Sequence, residues 1–304
     1  MLLLLEQIFN GLQLGVMLFL MAAGLTLVFG IMRLINLAHG SMYMLGAFVA
    51  ATVTEASGSF LLGLLAALPA AAAVGWLIEA LVLRHLYARD HLDQVLATFG
   101  LLLFFNALVQ ILWGRQPLFM DVPAVLAGSV ELIPGVPYPA FRLAIIVTGL
   151  LVAGALYFLI SHTRLGMQIR ASASNREMAE AIGINTPMLY SLVFALGAAL
   201  AGLAGSMAAP ILAVESGMGE SILIETFVVI VIGGLGSIRG AFLGALLVGL
   251  VDTLARAFLP TLLRSLLPAA AADGAGASLA SMSIYMLMAA VLLWRPRGLF
   301  PAPA

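Results

Sequence analysis

Apolar runs close to the ~20 residues that a helix needs to cross a bilayer alternate along the chain with short polar breaks. Residues 8–30, 60–83, 95–113, 143–160, 189–209 and 241–259 predict membrane helices, and 282–294 predicts a last one leading into a tail. Two further runs, 41–54 and 222–232, are short for a crossing and predict the second and seventh spans. In lipid each segment must pair its own backbone groups, and a helix does so without help. The fold class is therefore all-α: one domain over residues 1–304, a polytopic bundle of about 8–9 spans with short or broken helices. Pro69, inside the third run, predicts a kink.

The longest break that a bilayer would reject is 163–187, with Arg164, Arg170, Arg176, Glu177 and Glu180. Within it 174–183 predicts a short helix. Ser174 is a suitable N-cap, with Glu177 at capping-box spacing and Gly183 as the stop. Met178, Ala181 and Ile182 fall at i, i+3 and i+4, one apolar stripe on an otherwise charged helix. Two turns are unstable alone in water, so the helix must pack on something. Either it lies on its own bundle or the headgroups, or it is a knob inserted into a soluble partner.

The first break, 33–40, carries Arg33, Asn36 and His39 and predicts a broken helix whose freed backbone Asn36 and His39 can hydrogen-bond. Residues 35–47 and 233–245 echo one another, each a polar, glycine-bearing kink ahead of a small-residue helix, as in transporters built from repeats. Gly197, Ala201 and Gly205 form one ladder of small residues, and Gly236, Gly240 and Gly244 another, each letting a second helix backbone approach closely. Residues 114–142 read as a proline-rich loop and 260–280 as a low-complexity external loop.

Charge sets the orientation. With 163–187 inside and spans alternating, the inner breaks collect Arg33, Arg84, Arg89, Arg164, Arg170, Arg176, Arg239, Arg295 and Arg297, while the outer ones hold Arg115 and Arg264, with Arg142 and Arg256 near outer span ends. Arginine excess marks the cytoplasmic side, so the N-terminus lies outside and the C-terminus in the cytoplasm.

Composition narrows the function. Of 304 residues 63% are hydrophobic and 9% charged, too apolar for a soluble domain. The net charge of −1 gives no reason to expect nucleic acid as a partner. With no cysteine there is no disulfide, thiolate metal site or cysteine nucleophile, and no cofactor or metal is expected. All 13 basic residues are arginine, so the lysine of a phosphate-binding P-loop is missing. If ATP drives transport, the ATPase is another chain. The N-terminal residues, with Glu6 and no small-residue cleavage pattern, read as part of the first span and not as a signal peptide.

His39 has neither a clustered second ligand nor a nucleophile, which leaves no catalytic candidate. Glu225 and Asp252 lie in or near apolar spans, where an acid is costly and often functional. They are candidates for the translocation path beside Asn36 and His39, although Arg256, four residues after Asp252, can pair with it.

Asn36-Leu37-Ala38-His39-Gly40, the arginine-flanked loop ending Gly183-Ile184-Asn185, Gly233-Gly234-Leu235-Gly236-Ser237 with Gly240 and Gly244, and Arg295-Pro296-Arg297-Gly298-Leu299-Phe300 follow in order over nearly the whole chain. Together they resemble the membrane permease subunit of ABC importers for branched-chain amino acids. The family usually has glycine where this chain has Pro301. The resemblance implies a coupling helix at 174–183, with Arg170, Ser174, Glu177, Met178, Ala181, Ile182 and Gly183 toward an ATPase. It implies cytoplasmic ATP-binding subunits, a second and related permease chain, an external substrate-binding protein and a place in the bacterial inner membrane. The alternatives are a related permease for urea or short amides, or a transporter or channel working alone with Asp252 or Glu225 carrying the coupling ion.

Overall fold

The computed structural model describes residues 2–87, 89–133, 135–265 and 268–300. Pro134, within the proline-rich stretch, and Pro301 lie outside them. The described helices are α1 (Leu2–Met32), α2 (His39–Ser57), α3 (Phe60–Leu81), α4 (His91–Trp113), α5 (Ala140–His162), α6 (Arg164–Ser174), α7 (Arg176–Ala181), α8 (Thr186–Ala208), α9 (Met218–Gly233), α10 (Ile238–Leu263) and α11 (Ala269–Trp294). Seven of them, α1, α3, α4, α5, α8, α10 and α11, are long and apolar enough to cross a membrane. With α2 and α9, of 19 and 16 residues, they account for the predicted bundle.

The bundle has a centre and a lipid-facing shell. Along α1 every residue from Gly15 to Val28 is buried, whatever its side. α8 is nearly as enclosed, from Gly197 to Ala208 interrupted only at Ala199. Helices apolar all round and buried all round belong at the core. Close approach explains how they fit. A Cβ on Gly15 would stand 2.8 Å from the Ala245 carbonyl oxygen on α10, and one on Gly197 would stand 3.0 Å from the Gly24 carbonyl oxygen on α1. By contrast Leu61, Leu65, Phe104, Ile111, Leu151 and Leu293 stand exposed on the outer helices, where lipid rather than water is their solvent.

α2 and α9 do not begin at the ends of the bundle. After α1 the chain turns at Arg33, whose φ of 51° is unusual for a side-chain-bearing residue, and runs back inside. α2 then starts at His39 beside Met21 and Gly24 of α1. The first turns of α2 and α9 meet, with Gly40 packed directly on Gly219. The echo residues 35–47 thus span the inner break and the start of α2. Residues 233–245 span a turn into α10, and the partner of the α2 start is instead α9, which follows the break at 209–217.

Two expectations are corrected. Of the loop expected at 260–280, residues 260–263 finish α10 and 269–280 are the first half of α11. Alanine is the best helix former, and Gly276 lies where a Cβ would meet Pro260 of α10 at 2.6 Å. The 163–187 segment holds two helices, α6 and α7, instead of one. The proline-rich loop is mostly irregular, as expected, but carries a hairpin of β1 (Ser129–Ile133) and β2 (Val136–Pro139). α3 continues through Pro69.

The two ends of the bundle differ chemically. At one end lie the α1, α3 and α5 C-termini, α6, α7 and the α8 start, held by Tyr87 to Met32, Arg84 to Ser191 and Arg239 over Tyr157. The tail closes this end: the Leu299 and Phe300 amides donate to the Ile232 and Gly233 carbonyls at 2.9 Å, and Gly298, at φ 81°, packs on Gly234. At the other end Arg142 donates to Asn10 at 2.6 Å, Trp113 to Thr52 at 2.7 Å, and Leu118 bridges to Val214.

Candidate functional site

The α6–α7 segment is built by local caps. Thr163 accepts from the Gly166 amide at 3.1 Å and starts α6, while Arg170 turns back to the Ile160 carbonyl at the end of α5. α6 runs through Ser174, so Ser174 is its last residue and not the cap of the next helix. That cap is Asn175, whose extended backbone (φ −149°, ψ 105°) lets its Oδ1 accept from the Met178 amide at 2.9 Å. Glu177 consequently sits one position too early for a capping box, although its charge still favours the N-terminal turn. Gly183, at φ 91°, ends α7, with its amide on the Glu180 carbonyl and that of Ile184 on the Ala179 carbonyl, each at 3.0 Å.

α7 rests on the bundle through Ala179, which is buried. Its outer stripe is bare: Met178 is 60% and Ile182 69% exposed, and Ala181 is exposed between them. Arg176 bonds Glu180 at 2.9 Å and lies 5.2 Å over the Tyr190 ring of α8. The Thr186 hydroxyl, with Arg176 second, holds the Glu180 carboxyl below the usual carboxylate range. Arg176 and Glu180 are thus tied to each other and to the start of α8, while the apolar stripe faces outward.

The interior break brings other expected residues together in part. His39 is buried, with Nε2 3.2 Å from the Met21 carbonyl, a carbonyl in mid-helix rather than one freed at the break. Asn36 is fully buried and its backbone oxygen accepts from the His39 amide at 3.4 Å, but both side-chain polar atoms lack a protein partner. Asp252 is buried and accepts from Arg256 Nε at 2.7 Å, leaving Oδ1 without a partner. Glu225, half-buried on α9, lies within electrostatic reach of that pair. Among the described residues no group of three or more His, Cys, Asp or Glu is arranged to hold a metal ion.

Most of the ladder residues lie at helix contacts. Gly205 meets the Tyr43 carbonyl of α2, Gly240 meets Gly233 of α9, Gly244 meets Val229, and Ala201 is fully buried. Gly236 is the exception. It stands at φ 79° in the turn before α10, beside Gly30, and serves the turn instead of a helix face.

Sequence reasoning passed over Glu79. It lies in the last turn of α3, its side chain is 0% exposed, and it accepts from Tyr87 at 2.8 Å, from Arg84 at 3.3 Å and from Ser191 of α8. A lone acid inside an apolar run was the available signal.

The chain matches the family described as branched-chain amino acid transport system, permease component, over residues 7–293. The high-affinity branched-chain amino acid transport system permease protein BraD of Pseudomonas aeruginosa is 33% identical, over 98% of this chain and 96% of its own. The corresponding protein LivH of Escherichia coli is 31% identical over 84% of this chain and 87% of its own. A ribose import permease, RbsC of Escherichia coli, is 27% identical over 81% and 77%. No solved structure matches the chain. A multi-pass apolar bundle and a match over nearly its whole length lead to one conclusion: the chain belongs to the family of permease components of branched-chain amino acid transport systems.

Proposed function

We propose that this chain passes branched-chain amino acids across a bacterial inner membrane, receiving them from an external binding protein beside a second, related permease chain, and that separate cytoplasmic ATPase subunits drive it through α7. The observation that carries this reading is the exposed stripe of Met178, Ala181 and Ile182 on a six-residue helix. So short a helix does not persist in water by itself, and here caps and Ala179 hold it in place while its apolar face is left for another protein. The names of the relatives supply the substrate class. The arginine bias toward the α6–α7 end supports a cytoplasmic C-terminus and an external N-terminus. The pairing of Asp252 with Arg256 argues against Asp252 as a free ion-coupling acid.

The test is co-purification of the ATPase with Met178→Asp. A charge buried without a partner in the contact costs about 3 kcal/mol or more, so the ATPase is expected to be lost while the permease still reaches the membrane. ATPase retained at the wild-type level would show that α7 is a surface helix only.

A further inference from the structure

The end of the bundle that carries α7 also contains a buried polar bracket, which the docking reading leaves unused. Its centre is Glu79, a carboxylate without solvent exposure near the end of a membrane helix. Burial of an acid at that depth is costly unless each oxygen is satisfied, and here both are. Oε1 accepts from the Tyr87 hydroxyl at 2.8 Å, and Oε2 accepts from Arg84 at 3.3 Å and from the Ser191 hydroxyl. Arg84 also donates to Ser191 at 2.9 Å. One carboxylate thereby joins α3, the turn that follows it and α8.

The bracket continues toward α7 through aromatic rings. Tyr87 touches Met32, the last residue of α1, with its hydroxyl 3.6 Å from the sulfur. Its ring meets the Tyr190 ring edge to face, with centroids 5.5 Å apart. The Tyr190 ring also lies under the Arg176 guanidinium of α7, at 5.2 Å. A path of direct contacts therefore runs from α7 through Arg176, Tyr190 and Tyr87 to Glu79, and it reaches α1, α3 and α8. Beside it lies a half-open cleft of about 220 Å³ lined by Arg84, His85, Tyr87, Arg176 and Pro187.

We infer that Glu79 and Tyr87 are positioning residues for transport, the joint through which a displacement of α7 is passed to the two central helices α1 and α8. The inference rests on the reading of α7 as the ATPase-docking helix. A plain structural tie predicts something different: loss of the tie would lower the amount of assembled complex and leave each assembled complex fully coupled.

The test compares Tyr87→Phe, which keeps the ring and removes the hydroxyl, with Glu79→Gln and with the double variant, each in the complete complex with its ATPase and binding protein. ATPase co-purification is expected at the wild-type level. Leucine transported per ATP hydrolysed is expected to fall at least about fivefold, the lower range of coupling between sites. The double variant should be no worse than the more damaged single, because both remove the same contact. An unchanged ratio in Tyr87→Phe, or losses confined to the yield of complex, would overturn the inference. Should Glu79→Gln fail to assemble, Tyr87→Phe alone decides it. ATPase retained by Met178→Asp would remove the docking reading and this inference with it, whereas full coupling in Tyr87→Phe with docking intact would remove this inference alone.

Discussion

Replacing Asn175 with alanine removes one hydrogen bond, from the Met178 amide to Oδ1 at 2.9 Å, and leaves the α7 side chains that face outward untouched. Loss of an N-cap side chain costs about 1 kcal/mol. With RT near 0.6 kcal/mol, that is roughly a fivefold rise in the fraction of time the helix is open. α7 has six residues and no spare turns over which to spread the loss. The amides of Ala179 and Ile182, whose backbone bonds remain, should therefore exchange with solvent deuterium about five times faster in Asn175→Ala, and the Met178 amide, which loses its acceptor, faster still. Ser174→Ala is the matched control. Ser174 ends α6 and caps nothing, so exchange across α7 should stay at the wild-type rate. A larger effect from Ser174→Ala than from Asn175→Ala would refute the assignment of the cap.

Two further outcomes follow from the packing and the charge pattern. Gly205→Leu and Gly240→Leu each force a side chain against a backbone, that of Tyr43 or that of Gly233. Overpacking at about 3 kcal/mol or more should sharply lower the yield of folded permease in the membrane, measured by detergent extraction and size-exclusion; normal yield in both would remove the packing argument. A cysteine at Glu177 should react with an impermeant thiol reagent only in inverted vesicles and one at Glu131 only from outside, with no native cysteine to confuse the labelling; the reverse pattern would turn the bundle over.

What the sequence disclosed and what it hid divide along physical lines. Long apolar runs were legible because lipid leaves a spanning chain little choice but to be helical. The ladder through Gly240 and Gly244 was legible because small residues four apart share a face. The pairing of Asp252 with Arg256 was visible for the same reason, being four apart on one helix. The cap of α7 was misplaced by one residue because Ser174 and Asn175 are both good caps, and only the extent of α6 chooses between them. Gly236 was counted with the ladder because its positive φ is invisible in a list of small residues. Residues 269–280 looked like low-complexity loop, yet their alanines favour helix and α10 gives them a surface to pack on. Glu79 was legible as a lone acid in an apolar run, with Arg84 and Tyr87 five and eight residues on, but its tie to α8 was not, because Ser191 lies 112 residues away.

The central claim, a permease driven by separate ATPases, is tested most directly by reconstitution. The chain would be placed in liposomes with its partner permease, with and without the ATPase subunits, and supplied with leucine-loaded binding protein on the external face. The account predicts leucine uptake only when the ATPases and ATP are both present, and none when a proton or sodium gradient is imposed across liposomes lacking them. Gradient-driven uptake by the chain without any ATPase would contradict it.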